Sequence, residues 1–206
     1  MNKANDEIVV GKGRFESFSD GVFAIAITLL ILEVRLPQGL GIATPVAQQI
    51  HALAIIWPQY LVYGATFANI GIMWLHHHAM LDKAQRITHR VVIANLVLLA
   101  LICFLPFTTY VIEVFGVTAP AVVFYALVNV AIAFGYLFLQ RSVFKAHDAH
   151  AILSPWNFVG LLAYPVAVVA GLFVPILAIV ITVLVALFYA MPRSVELSRR
   201  PLEERF

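Results

Sequence analysis

The densest group of chemically capable side chains in this sequence is His76-His77-His78, with His89 and the His147-x-x-His150 pair on the same side of the expected membrane. Histidines in such numbers raise the possibility of a membrane di-iron enzyme, which needs many imidazoles plus carboxylates converging on the metals. Only seven histidines are present, and His51 falls on the opposite side. The alternative is a cluster at a helix end, stabilised by the C-terminal dipole and hydrogen-bonded to neighbouring helices. A second group surrounds the first apolar run. Asp20 precedes residues 21–32 and Glu33 and Arg35 follow them, so ionisable groups sit at both ends of one candidate helix. At such depths they are costly against lipid and usually face protein or a water-filled cavity. The other reading is an ordinary span whose end charges reach the headgroups, which is easier for Arg35 than for the short Asp20.

Several chemistries have nothing to work with. No Asp, Glu, Lys or Arg lies in the middle of any apolar run, so a proton relay or a proton-coupled carrier lacks its usual midplane group. The TVGYG carbonyl filter is absent. No internal duplication points to an inverted-repeat transporter, and no run carries arginine at every third position as a voltage sensor would. Cys103 is alone in an apolar run, which excludes a disulfide framework and reads as a small buried hydrophobe. No cofactor is expected. A small-solute carrier stays open as an alternative to a channel, though its polar groups would be few.

The elements that position these groups follow from composition. Hydrophobic residues make up 62% of the chain and charged ones 12%, about half the charge of ordinary soluble domains. One aqueous core cannot hide that much apolar surface, so the expected solvent is lipid. The net charge of +2 and the lack of a lysine-rich tail argue against nucleic acid as a partner. Runs at 53–75, 91–112 and 114–140 each carry one span of about 20 residues. The stretch 151–192 has no ionisable Asp, Glu, Lys, Arg or His and is about twice that length. Gly171 and Pro175 near its centre predict a turn between two short spans.

The first run is only 12 residues long, the length of a signal-peptide core. Against that, Asp6, Glu7, Glu16 and Asp20 stand among Lys3, Lys12 and Arg14, which is not a basic leader. Loop charge decides in favour of a span. With residues 18–36 crossing, twelve of the 13 Lys and Arg fall on one side, leaving Arg35 alone opposite. Since cytoplasmic loops collect Lys and Arg, the expectation is an all-α membrane protein of six spans (18–36, 50–75, 91–113, 118–140, 154–171 and 174–192) forming one domain over 1–206. Both termini are then cytoplasmic.

The segment Arg14-x-x-x-Phe18-Ser19-Asp20 followed by GVFAIAITLLILEV resembles the prokaryotic branch of the transmembrane protein 175 family, relatives of the endosomal and lysosomal potassium channel. Trp74-Leu75-His76-His77, Asn95 and Leu105-Pro106-Phe107 are similar to the family pattern, and the likeness covers nearly the whole chain. It implies a homotetramer in a prokaryotic plasma membrane, first helices around one pore, and potassium-selective conduction of monovalent cations without a carbonyl filter. Carried over, the constriction falls on Ile25, Leu29 and Leu32, with Thr28 as a hydroxyl layer. Their spacing permits one helical face. The resemblance also implies that Arg14, Phe18, Ser19 and Asp20 hold the inner end of the first helix through Trp74 and His77. Either His77 or His78 could be the inward one. Glu33 and Arg35 match no family position.

Overall fold

Prolines mark where the apolar runs begin as helices. The computed structural model describes residues 10–82, 84, 86–145 and 158–191. The elements there are α1 (Lys12–Leu29) continuing as a 3-10 turn (Leu30–Glu33), α2 (Val46–Ile55), α3 (Trp57–Asp82), α4 (His89–Cys103), α5 (Leu105–Phe115), α6 (Ala119–Lys145), α7 (Phe158–Phe173) and α8 (Pro175–Ala190). Pro58, Pro106, Pro120 and Pro175 each occupy the first or second position of a helix. There the missing N–H costs nothing and the fixed φ suits the first turn. Gly116 ends α5 at φ 71°, a left-handed conformation that side chains with a Cβ avoid.

Among the described residues, three segments are long and apolar enough to cross a membrane: Lys12–Glu33, His89–Phe115 and Ala119–Lys145. The structure is all-helical among the described residues; α3 and α6 run on past the expected 75 and 140 to Asp82 and Lys145, and three further differences from the sequence reading change the layout. The first helix starts at Lys12 rather than residue 18, so Arg14 and Glu16 lie within it and Asp20 is well past its positive end. The run expected over 50–75 is cut at Ile56, leaving α2 as a separate short helix before α3. The run over 91–113 bends at Phe104, where Pro106 interrupts the hydrogen-bond ladder between α4 and α5. The junction at Val174 joins α7 to α8 where Gly171 and Pro175 predicted a turn. A Cβ on Gly171 would meet the Ala178 Cβ at 3.1 Å and Val122 Cγ2 at 3.3 Å, so glycine lets α7 approach both α8 and α6.

At the centre of the bundle stands α6, packed against α4, α5, α7 and α8. Every polar side chain in this apolar interior needs a partner, because lipid offers none. Thr66, Thr108, Thr109, Ser142 and Thr182 each donate to a carbonyl three or four residues back in their own helix. A cross-helix cluster joins α3, α6 and α7. Asn69 Nδ2 donates to Asn129 Oδ1 (2.7 Å), Tyr164 OH donates to Asn69 Oδ1 (3.1 Å), and Thr66 and Tyr125 share a hydroxyl contact at 3.0 Å.

The first helix lies at the margin and packs chiefly on α3 and α4. It buries Phe15, Ser19, Phe23 and Ala26, with Leu30 continuing the stripe. Spacings of 4, 4, 3 and 4 keep that stripe on one side of an α-helix.

Candidate functional site

The opposite side of α1 is open. Phe18, Ile25, Leu29 and Leu32 are all exposed, Ile25 and Leu32 at 59% and 61%, while Phe23 between them is 1% exposed. Thr28 belongs to the same open side. Its hydroxyl donates to the Ile25 carbonyl at 2.9 Å. With the proton committed to the backbone, the oxygen lone pairs point away from it and remain available to accept from water or to meet a cation. All four residues expected at the constriction are thus exposed together on one helical segment. Phe18, expected among the anchoring residues, faces outward with them instead.

The N-terminal half of α1 is held by neutral hydrogen bonds that run in one direction. His77 Nε2 contacts Asn95 Oδ1 at 2.7 Å, and Asn95 Nδ2 donates to Ser19 Oγ at 2.9 Å. Ser19 Oγ in turn donates to the Phe15 carbonyl at 2.9 Å. Because the Asn95 amide nitrogen is spent on Ser19, its oxygen faces His77, and His77 must carry its proton on Nε2. Phe23 lays its ring 5.2 Å from the His77 imidazole. Beside this chain, Trp74 Nε1 donates to Asp20 Oδ1 at 2.8 Å. Three helices, α1, α3 and α4, are joined at one level.

Of the anchoring residues named from sequence, Ser19, Asp20, Trp74 and His77 come together. Asp20 bonds Trp74 but not His77, which turns to Asn95. Arg14 does not take part. Its side chain is exposed and makes no hydrogen bond or ion pair among the described residues. The cation at this end is Lys12, whose Nζ donates to the Asp82 carbonyl at 2.6 Å and lies 3.7 Å from Glu16. Asp20 lies eight residues past the start of α1, beyond the reach of its positive end.

The histidine triplet resolves into three directions. His77 is the inward residue, 1% exposed. His76 Nε2 contacts the Tyr189 carbonyl of α8 at 3.3 Å, and exposed His78 lies 3.7 Å from Asp82 in its own helix. Their nitrogens diverge rather than converge. Among the described residues no three His, Cys, Asp or Glu gather as metal ligands would; His147 and His150 lie outside them, as do Lys3, Lys83 and the arginines after residue 192. The sequence reading missed the Asn69–Asn129–Tyr164 cluster. The signal was present as neutral amides inside apolar runs, which a search for ionisable groups passes over.

Residues 14–106 match the family described as endosomal/lysosomal potassium channel TMEM175. A potassium channel of Chamaesiphon minutus is 44% identical over 97 residues, 47% of each chain. A potassium channel of Streptomyces collinus is 38% identical over 128 residues, 60% of each. The matched stretches therefore span about half to three-fifths of those relatives. A solved structure, the crystal structure of a lysosomal potassium-selective channel TMEM175 homologue from Chamaesiphon minutus, superposes with a TM-score of 0.76 at 32% identity. That match covers 87% of this chain and 96% of the other. These relatives are named as channels, not enzymes.

Proposed function

This chain belongs to the TMEM175 family, and from that premise we propose that it is a potassium-selective or weakly selective cation channel whose pore is lined by α1. The observation that carries the reading is the open face of α1. A membrane helix that buries only one stripe and leaves Ile25, Leu29 and Leu32 exposed needs lipid, a second copy or a pore on its other side. Lipid would suit the leucines, but Thr28 in the same open face adds a hydroxyl oxygen free to meet water or a cation.

In this reading four copies assemble as a homotetramer, each with six spans and both termini in the cytoplasm of a bacterial plasma membrane. The spans are α1 with its 3-10 turn, α3, α4 with α5, α6, α7 and α8. Lys12, Arg14, Arg86, Arg90, Arg141 and Lys145 then share the inner side, as cytoplasmic loops do.

Ile25, Leu29 and Leu32 from four subunits form apolar rings that dewet when narrow. Methyl groups cannot replace an ion's water, so an open pore must be wide enough for most of the hydration shell to pass. Selectivity then arises from partial dehydration, assisted by the Thr28 oxygens, and is weaker than in a carbonyl-lined filter. No resident cofactor takes part; potassium is the permeant ion.

The test is a planar-bilayer recording of the purified protein in potassium against sodium. Ile25→Asn should ease wetting, raise conductance and blur the preference for potassium. Ile25→Cys, in a background with Cys103 replaced, should react with a water-soluble thiol reagent and block current. Unchanged currents in Ile25→Asn together with an unreactive Ile25→Cys would place the pore elsewhere.

A further inference from the structure

We propose that Arg35 is the positioning residue of the outer end of α1, holding the 3-10 turn Leu30–Glu33 and with it the Leu32 ring. The inference rests on the reading that α1 lines the pore, and concerns a charged pair that matched no family position. Arg35 makes four contacts with three different elements. Its backbone N–H donates to Gln59 Oε1 of α3 at 2.9 Å, and its Nε donates to the Leu32 carbonyl at 3.3 Å. Its guanidinium carbon lies 5.2 Å from the centre of the Tyr110 ring on α5, and Nη2 lies 3.5 Å from Glu33 Oε2. The last contact is Coulombic, since that oxygen is buried and accepts no hydrogen bond. The charge of Arg35 is therefore turned onto α5, within a short arc that also closes the last turn of α1.

The consequence lies in helix geometry. In a 3-10 turn residues three apart eclipse, at about 120° and 2.0 Å per residue, against about 100° and 1.5 Å in an α-helix. Over the three residues from Leu29 to Leu32 the 3-10 form sets Leu32 directly above Leu29. The α form would swing it by about 60° and draw it back by about 1.5 Å. Nothing in Leu30-Ile31-Leu32-Glu33 itself demands the tighter form, because all four residues are compatible with an α-helix. The restraint comes from beyond the turn. Val34 N donates to the Ile31 carbonyl at 3.2 Å, and the next residue is Arg35. Leu30, Glu33, Gln59, Tyr63, Thr109 and Glu113 line a narrow cleft behind the turn, facing α3 and α5.

The test uses Leu32→Cys as reporter and Ile25→Cys as control, both with Cys103 replaced, in the full channel in liposomes. Modification rates by a water-soluble thiol reagent are compared for wild-type Arg35–Tyr110, for Tyr110→Leu and Arg35→Gln, and for Tyr110→Phe, which keeps the ring. Arg35 is half exposed, with 54% of its side chain accessible, so Arg35→Gln remains informative should Tyr110→Leu fail to fold. Both disruptive variants should shift the Leu32→Cys rate by about two- to fivefold, the population change that one lost half-exposed cation–π contact produces. Ile25→Cys should keep its rate, and Tyr110→Phe should behave as wild type. A Leu32→Cys that reacts with the contacts intact and is unaffected by Arg35→Gln overturns the positioning role and leaves the pore assignment standing. A Leu32→Cys and an Ile25→Cys that both fail to react with the contacts intact overturn the two together.

Discussion

Replacing Asn95 with leucine tests whether the neutral chain at the inner end of α1 holds the helix. Leucine matches asparagine in branching and heavy-atom count, so the change removes polarity without opening a cavity. Two groups lose a partner. The His77 Nε2–H, in a side chain 1% exposed, loses its acceptor outright and carries an orphan cost of about 1–3 kcal/mol. Ser19 Oγ loses the bond donated to it but keeps the one it donates to the Phe15 carbonyl, so its share is smaller. Measured couplings between polar groups of membrane helices fall near the low end of such ranges, about 0.6 and at most about 1.7 kcal/mol. The expected loss is therefore about 1–2 kcal/mol for Asn95→Leu, toward the low end of the orphan cost. It is read from the SDS-unfolding midpoint in mixed micelles. Ser19→Ala alone should cost less, and in the Asn95→Leu background it should cost almost nothing. An Asn95→Leu protein within about 0.5 kcal/mol of wild type, or additive effects of the two substitutions, would refute the argument that this chain pins α1.

Asp20→Ala leaves the Trp74 indole N–H without its acceptor and should weaken folding or assembly by about 1–3 kcal/mol, measured by the same unfolding titration; a stable tetramer that has lost only its potassium preference would contradict the anchoring role. Asn69→Leu removes the common partner of Asn129 and Tyr164 and should destabilise the bundle with little change in the permeability ratio, checked by unfolding and bilayer recording in parallel. Cysteines at Gln38 and Arg86 should label unequally with an impermeant reagent on intact cells, Gln38 reacting and Arg86 protected; equal labelling would sink the arrangement with both ends inside.

Apolar run length and loop charge made the helices legible, because both reflect the cost of placing polar groups in lipid, which is large and local. Breaks inside the runs were harder. Phe104 bends the chain between α4 and α5 in a stretch without a single charge, and Pro106, the cause, also suits an ordinary helix start. At the inner end, Asp20 and Trp74 met as the family resemblance implied, whereas His77 went to Asn95. The choice between His77 and His78 depended on the rotation of α3 against α4, which periodicity within one helix does not fix. Arg14, six residues before Asp20, lies on a different face of α1 and stays exposed, while Trp74 from α3 reaches the Asp20 carboxylate.

Selectivity in an apolar constriction is a question of radius, and radius is a question of how firmly each helix is held. A carbonyl filter carries its own ligands and tolerates small shifts by adjusting them; a ring of isoleucines has none to adjust. A helix of 22 residues is roughly 33 Å long, so a tilt of about 2° moves one end by about 1 Å, comparable with the difference between passing and stripping a hydration shell. Holding α1 at one end would leave the other free to swing by that amount. The two ends are held by unlike means. Inside, a buried chain of neutral bonds through Asn95 is short and indifferent to salt, because no formal charge takes part. Outside, Arg35 binds through charge at a half-exposed site, where ions in solution screen it. Raising ionic strength with an impermeant salt should therefore loosen the outer ring before the inner one, increasing Leu32→Cys modification while Ile25→Cys stays constant. Equal responses at the two positions would mean that the ends of α1 move as one rigid rod and that the outer contacts do not set the ring.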